Sequence, residues 1–166
     1  MGICARELRH LVIRPTLKHL KLWSPGAENL LLGTAAQESG LGEHLQREQH
    51  RALGIYQITP RMHRNVWDKF LARQPNLASK VRGLASQHEF LHHPHAELAT
   101  NLSYATAVAM MVYLRTGKIL PPEASNDPNR LGHWWRKNFH GSPQGTVNDF
   151  VSHYNDLILE SEESRS

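Results

Sequence analysis

Apolar residues recur along this chain at the 3.6-residue spacing of helices that bury one face. In residues 146–159, the apolar positions at this spacing are Val147, Phe150, Val151, Tyr154 and Leu157. Residues 15–23, 75–91 and 94–114 indicate three more helices. The pattern therefore predicts a succession of helices over most of the chain.

Three further helix starts are marked by a small polar residue directly before a proline. The three pairs are Ser24-Pro25, Thr59-Pro60 and Asp127-Pro128. A serine, threonine or aspartate side chain accepts a hydrogen bond from a free N–H of the first turn, and proline has no N–H to leave unpaired there. We predict that a helix begins at each of these prolines.

Only residues 53–58 have the composition of a short strand. The preceding residues 40–51 are polar and contain glycine, so a small hairpin fits there. We find no internal repeat. The predicted fold class is all-α, with a possible minor β hairpin.

Length and composition indicate one folded domain. The chain has 166 residues, 40% hydrophobic and 20% charged, which suits a buried core and excludes a disordered chain. It lacks a run of about 18 apolar residues, so we expect no membrane insertion. We assign residues 1–23 to an N-terminal basic helical segment of the same domain, 24–159 to its main body, and 160–166 to a disordered acidic tail.

The N-terminal residues are basic and are not continuously apolar. Arg6, Glu7, Arg9 and His10 interrupt any apolar run, so we expect no cleaved signal peptide. The single cysteine, Cys4, predicts a reducing compartment. The net charge of +4 favours either a polyanionic partner or a solvated basic helix face. Because no zinc finger or RNA-binding motif accompanies it, we expect no nucleic-acid partner.

Glu38 occupies an unusual position for a carboxylate. It follows Leu31, Thr34 and Ala35 by seven, four and three residues, so it lies on the apolar face of its predicted helix. Gly40 supplies a helix stop, which puts Glu38 in the last turn beside carbonyls of partial negative charge. Burial and these carbonyls favour the neutral acid that a general acid requires. The alternative is a glutamate that turns into solvent.

Two motifs extend this pattern. The sequence AQESG at residues 36–40 is followed by GIYQITP at residues 54–60, and a segment from NL at 101–102 to YL at 113–114 comes later. Together they resemble the lysozyme-like lytic transglycosylase (SLT) family, in its compact phage-encoded form, over residues 28–114. The resemblance implies a lysozyme-like, SLT-type helical domain, with residues 24–159 as its catalytic part.

The resemblance also implies a reaction. Glu38 would protonate the oxygen of the β-1,4 bond between N-acetylmuramic acid and N-acetylglucosamine, and would then act as base. In lytic transglycosylases the base accepts the proton of the muramyl 6-hydroxyl, which closes a 1,6-anhydro ring, whereas in lysozymes water takes that place. A hydrolase usually has a second carboxylate, and Glu43, Glu48 and Asp68 are candidates. None lies in an identifying motif, which favours the single-glutamate lyase.

The substrate-binding residues implied by the resemblance are Ser39, Tyr56, Gln57, Tyr104, Tyr113 and Asn138. Larger family members carry a late AYNAG segment, for which this chain offers only WWRKNF at residues 134–139. Asn138 would match its asparagine, but Phe139 cannot donate a hydrogen bond, so the tyrosine partner of Glu38 is Tyr56, Tyr104 or Tyr113. The pair Trp134-Trp135 fits core packing better than sugar stacking.

A competing motif is HEFLH at residues 88–92, which matches the zinc-binding pattern HExxH. Its third ligand has no identifiable match, and the chain has 12 histidines, so a solvated histidine-rich helix end is the preferred interpretation. We expect no metal and no cofactor. The expected partner is a peptidoglycan glycan strand and the expected state is a monomer. A phage-encoded protein in the host cytoplasm or the virion would need no signal peptide, and a non-catalytic wall-binding or virion structural domain is the alternative.

Overall fold

The computed structural model describes residues 2–46, 51–86, 91–139 and 145–163. The fold is all-α, as predicted, with 70% helix, 1% strand and no sheet in the described residues. None of the helices described is long and apolar enough to cross a membrane.

Helix α1 runs through Ala5–Glu7, a π-helical segment Leu8–Ile13, and Arg14–His19. The prediction of a helix over residues 15–23 is therefore wrong at both ends. Pro15 lies inside the helix, two residues after the end of the π segment. The N–H of the residue between them, Arg14, bonds back to the Arg9 carbonyl. This wider turn accommodates a proline that would break a regular α-helix.

Helix α2, Pro25–Ser39, is the central helix, and most of its residues are buried. Its start is confirmed, since the Ser24 hydroxyl accepts from the Ala27 N–H at 3.1 Å. The helix ends at Gly40, whose φ of 62° is left-handed. Glycine adopts this conformation at low cost, which explains the stop directly after the AQES sequence.

Two helices follow α2. Helix α3 begins at the predicted Thr59 cap and runs through Pro60–Asn65, a π-helical segment Val66–Phe70 and a 3₁₀ turn Leu71–Arg73. Helix α4 covers Pro75–Arg82. The prediction extended α4 to residue 91, but it ends at Gly83, and residues 87–90 lie outside the described part of the chain.

The segment predicted as one helix over residues 94–114 is broken. A 3₁₀ turn Pro94–Ala96 and the short helix α5, Glu97–Thr100, precede helix α6, Leu102–Leu114. The break lies at Asn101, which has extended backbone angles and whose side chain accepts from the Tyr104 N–H at 3.0 Å. A capping asparagine thus starts a new helix where apolar periodicity alone predicted continuity.

The last two helices pack against α2. Helix α7, Pro128–Asn138, follows a 3₁₀ turn Pro122–Ala124 and starts at the predicted Asp127 cap. Helix α8 runs through Val147–Tyr154, Asn155–Leu159 and Glu160–Glu163. The acidic tail was predicted to be disordered from residue 160, but its first residues continue α8, and Glu162 forms an ion pair with Arg9 at 3.0 Å.

The predicted hairpin is replaced by a tight loop. Leu53 and Ile58 exchange two backbone hydrogen bonds of 3.0 and 3.1 Å, which form an isolated bridge. Residues 54–57 turn between them, and two of these residues, Gly54 and Gln57, have positive φ. Residues 47–50 of the predicted hairpin lie outside the described part of the chain.

In the described part of the chain, one hydrophobic core contains buried residues from Ala5 to Ile158. A buried ion cluster ties α1 to α2 beside it, because Glu28 accepts from Arg9 Nη1 at 2.7 Å and from Arg14 Nε at 2.6 Å. The N-terminal segment is thus built into the same core. Its buried residues there are Ala5, Leu8, Ile13, Leu17 and Leu20.

Candidate functional site

Glu38 lies in the last turn of α2 and is half-buried. It is thus neither enclosed in the core, as its apolar spacing predicted, nor turned out into open solvent. The indole N–H of Trp135, on α7, donates to Glu38 Oε1 at 3.1 Å. The carboxylate therefore combines a fixed hydrogen-bond donor with a partly exposed position, which is what a proton-transferring group requires.

Ser39 supports this position from inside. It is fully buried, and its Oγ lies 2.6 Å from the Ile55 carbonyl oxygen and 3.1 Å from that of Ala35. The same Oγ accepts from the Gly42 N–H at 2.8 Å. Ser39 was predicted to bind substrate, but it instead joins the end of α2 to the 53–58 loop.

Gln57 has a similar internal role. It is 5% exposed, and its side-chain amide donates to the carbonyls of Gly54, at 2.9 Å, and Leu45, at 3.1 Å. Gly54 is required at its position, because a Cβ there would lie 1.8 Å from the Leu98 carbonyl oxygen. The predicted sugar-binding amide of Gln57 is thus occupied by the loop that it closes.

All three candidate tyrosines are buried, and their hydroxyl groups bond to different partners. Tyr56 bonds to Thr106 at 2.8 Å, and Tyr113 bonds to Thr34 at 2.7 Å. Tyr104 bonds to His63 at 2.6 Å and accepts from the Trp67 indole at 2.8 Å. The hydroxyl groups of all three tyrosines thus bond to other side chains in this conformation, and their contacts with substrate stay predictions.

Tyr113 is the tyrosine coupled to Glu38. Burial is the main cause that raises the pKa of Tyr113 well above its usual value, and the nearby charge of Glu38 adds to it, while the hydrogen bond with Thr34 opposes it. The Tyr113 hydroxyl therefore stays protonated at neutral pH. Among the three candidates, Tyr113 is the one whose pKa is raised by the charge of Glu38, although its ring is only 3% exposed.

Asn138 does not reproduce the family asparagine. It is buried, and its amide donates to the Trp134 carbonyl one turn earlier in α7, at 3.0 Å. The following Phe139 packs its ring against Tyr113, with ring centroids 5.2 Å apart. The end of α7 thus packs against Tyr113, and the substrate contact of Asn138, whose amide is bonded within its own helix here, stays a prediction.

Two of the three candidates for a second carboxylate, Glu43 and Asp68, lie at the surface. Glu43 is exposed, and its Oε2 lies 3.3 Å from where a Cβ on Gly40 would be, so it folds back over the end of α2. Asp68 is exposed on the π-helical part of α3. Glu48 lies outside the described residues.

Trp135 is the site residue that sequence reasoning missed. It was identified as core or as a sugar platform, and it is indeed 1% exposed. Its contact with Glu38 joins positions that are 97 residues apart in the chain. A local sequence pattern cannot predict such a pairing, because glutamate and tryptophan each fit their own helix whether or not they are in contact.

Histidines on α3 and before α5 form a pair rather than a metal site. The Nδ1 atoms of His63 and His95 are 2.9 Å apart and the ring centroids 5.1 Å apart, so the two nitrogens point almost directly at each other. That is the geometry of an N–H···N hydrogen bond, whereas two ligands of one metal converge on a third point. No group of three metal-ligating side chains occurs in the described residues, and residues 88 and 89 of the HExxH motif lie outside them.

Comparisons with known proteins add no assignment. No family model matches the chain. No curated protein and no solved structure matches it either.

Proposed function

We propose that this protein is a lysozyme-like, SLT-type enzyme that cleaves the glycan strand of peptidoglycan, with Glu38 as general acid and base. The bond broken is the β-1,4 bond between N-acetylmuramic acid and N-acetylglucosamine. The motifs at residues 36–40 and 54–60 and the all-α fold support this proposal.

One observation carries the proposal. Glu38 is a half-buried carboxylate at a helix end, with one oxygen bound by an indole N–H and with a charge that helps to raise the pKa of the buried Tyr113. A glutamate that merely ends a surface helix has no need of a buried tryptophan donor from another helix. The arrangement suits a group that gives up a proton and then carries a charge in a poorly hydrated place.

The proton balance needs only Glu38 and the substrate. In the first step, the Glu38 proton moves to the glycosidic oxygen as the bond to the muramyl carbon breaks. In the second, the carboxylate takes a proton from the muramyl 6-hydroxyl, whose oxygen forms the 1,6-anhydro ring, and Glu38 is again protonated. If water replaces that hydroxyl, the product has a reducing end. We propose the lyase outcome because no identified motif supplies a second carboxylate.

The proposed setting follows from the substrate. A phage-encoded monomer in the host cytoplasm or the virion would reach the wall through a membrane lesion or as part of the particle. The basic character of the protein, with a net charge of +4, suits an anionic wall polymer. The competing function is a non-catalytic wall-binding or virion structural domain with the same fold.

The test is Glu38→Gln, assayed on purified peptidoglycan with mass analysis of the released products. The amide keeps the shape of the side chain and removes its transferable proton, so turnover should fall by at least about 100-fold. Glu123→Gln, an exposed acid in the turn Pro122–Ala124, is the control for loss of one charge and should keep full activity.

Each outcome decides the proposal. Anhydro-muropeptides from the wild type mean a lyase, and reducing ends mean a hydrolase. Wild-type protein that binds insoluble wall but releases no product identifies the binding domain instead. A Glu38→Gln protein that folds and clears the wall like the wild type would show that Glu38 is structural.

A further inference from the structure

The geometry points to Trp135 as a positioning residue, whose indole N–H binds Oε1 of Glu38 and so fixes the orientation of the carboxyl group for proton transfer. This inference rests on the proposed function, because it assigns a role in that same proton transfer. It goes beyond the motifs, none of which includes residue 135.

Trp135 is held on one face by a column of aromatic rings. Its ring stacks on Phe150 of α8, with centroids 5.6 Å apart and planes 28° apart. Phe150 stacks in turn on Tyr154, with centroids 6.2 Å apart. All three residues are buried, so the indole is fixed from behind by α8.

Two glycines make room for this column. A Cβ on Gly33 of α2 would lie 2.3 Å from Phe150 Cζ, and one on Gly132 of α7 would lie 3.1 Å from Phe150 Cδ1. The Phe150 ring therefore fills a slot between α2 and α7. Any residue other than glycine at position 33 of α2 would place its Cβ in that slot. Because the ring cannot shift toward either helix, the indole stacked on it has a fixed direction.

The direction matters because an indole N–H can only donate. At 3.1 Å from Glu38 Oε1, it bonds well only when that oxygen carries no proton. The same donor stabilises the carboxylate formed after proton transfer, since it requires no rearrangement during the reaction.

Trp135→Phe tests this role, because it retains an aromatic ring against Phe150 and removes the N–H. We expect kcat to fall roughly 10-fold or more, as for loss of a hydrogen bond to a charged group, with KM changed less than about 3-fold. The alkaline limb of the pH–rate profile should move to higher pH, because the carboxylate loses a donor that favours its charged form.

Trp67→Phe is the matched control. It also removes one indole hydrogen bond, here to the Tyr104 hydroxyl, but on α3 and away from Glu38. Its pH–rate profile should coincide with that of the wild type. Equal pH profiles for the wild type and Trp135→Phe would overturn the inference.

A second measurement needs no activity. The chain has four tryptophans, so the wild-type protein labelled with ¹⁵N should give four indole N–H signals, and the one missing in Trp135→Phe belongs to Trp135. That signal should titrate with pH in the wild type and become independent of pH in Glu38→Gln. The signal of Trp67, assigned from Trp67→Phe, provides the reference.

The two failures are distinguishable. An inactive wild type whose Trp135 signal still titrates with Glu38 contradicts the proposed function while retaining the contact. An active enzyme whose Trp135 signal ignores the Glu38→Gln change contradicts the positioning role alone. If Trp135→Phe does not fold, the indole N–H signal of Trp135 can be assigned by backbone NMR experiments instead. Its pH dependence is then compared between the wild type and Glu38→Gln.

Discussion

Replacing Glu28 by glutamine should destabilise the protein far more than an ordinary surface substitution. Glu28 is 2% exposed, close to the start of α2. Its two oxygens accept from both guanidinium groups of Arg9 and Arg14 and from the Trp23 indole at 2.6 to 3.0 Å. Glutamine has nearly the same shape, but its amide N–H₂ faces donors, and Arg9 and Arg14 lose the carboxylate that they share, although Arg9 keeps its ion pair with Glu162.

The size of the effect follows from the same contacts. Burial opposes ionisation of Glu28, but the hydrogen bonds from Arg14, Trp23 and Arg9 outweigh it and lower its pKa from 4.5 to about 2. That difference corresponds to about 3 kcal/mol of the free energy of unfolding at neutral pH. Removing one partner of a buried ion pair costs a similar amount, about 3 to 5 kcal/mol. We therefore expect Tm to fall by roughly 6 to 12 °C.

The pH dependence has a definite sign. A carboxylate whose pKa is lowered by folding stabilises the native state above its unfolded pKa and loses that contribution as pH falls through its folded pKa. For Glu28 the contribution is complete above pH 4.5 and disappears toward about pH 2. The difference between wild type and Glu28→Gln should therefore shrink steadily on acidification through that range.

Urea unfolding followed by far-UV circular dichroism, at pH 7 and at steps down to pH 2.5, measures this difference. Glu7→Gln removes an exposed acid from α1 and should change stability by less than about 0.5 kcal/mol. The reasoning is refuted if Glu28→Gln stays within about 1 kcal/mol of the wild type at pH 7. It is also refuted if a larger difference persists unchanged at pH 2.5.

Three further predictions concern the loop, the histidine pair and metals. Gly54→Ala should lower the free energy of unfolding by at least roughly 2 to 3 kcal/mol, because its Cβ would lie 1.8 Å from the Leu98 carbonyl oxygen. Gly117→Ala, with a similarly positive φ but open space around it, should lower it by only about 1 kcal/mol. Thermal melts that rank the two variants equally would contradict this. Burial is the main cause that lowers the pKa of His63 to about 4, so the wild type should lose stability as pH falls from 6.5 to 4. This loss should be smaller in His63→Gln. If the Tm values of the two proteins change with pH in parallel, His63 does not titrate in that range. Wall-clearing activity should survive EDTA, and its loss with recovery on adding zinc would favour the HExxH residues as the active centre.

Local chemistry made the helix starts predictable. Ser24, Thr59 and Asp127 each accept a hydrogen bond from an N–H of the first turn that follows them, as their side chains and the adjacent prolines indicated. The helix end at Gly40 was equally local. Such features depend on only a few neighbouring residues, so short motifs report them well.

Helix continuity was less predictable, since it depends on alternatives of similar energy. The π turn before Pro15 extends α1 to Ala5, and the Asn101 cap divides a segment whose apolar spacing runs through it. In each case a local hydrogen bond marks the feature that apolar spacing does not report, from the Arg14 N–H to the Arg9 carbonyl and from the Tyr104 N–H to the Asn101 side chain.

By itself, the sequence determined the all-α class, the starts of α2, α3 and α7, and the place of Glu38 in the last turn of its helix. The tertiary structure alone decided which side chains meet there. Ser39 and Gln57 point inward and hold a loop, and Tyr113 is the one of three candidate tyrosines whose pKa is raised by the charge of Glu38. Trp135 binds Glu38 although the two residues are 97 positions apart in the sequence. The reason is that a helix end is specified by short-range hydrogen bonds, whereas a contact between helices depends on the packing of the whole core, including the glycine-lined slot for Phe150.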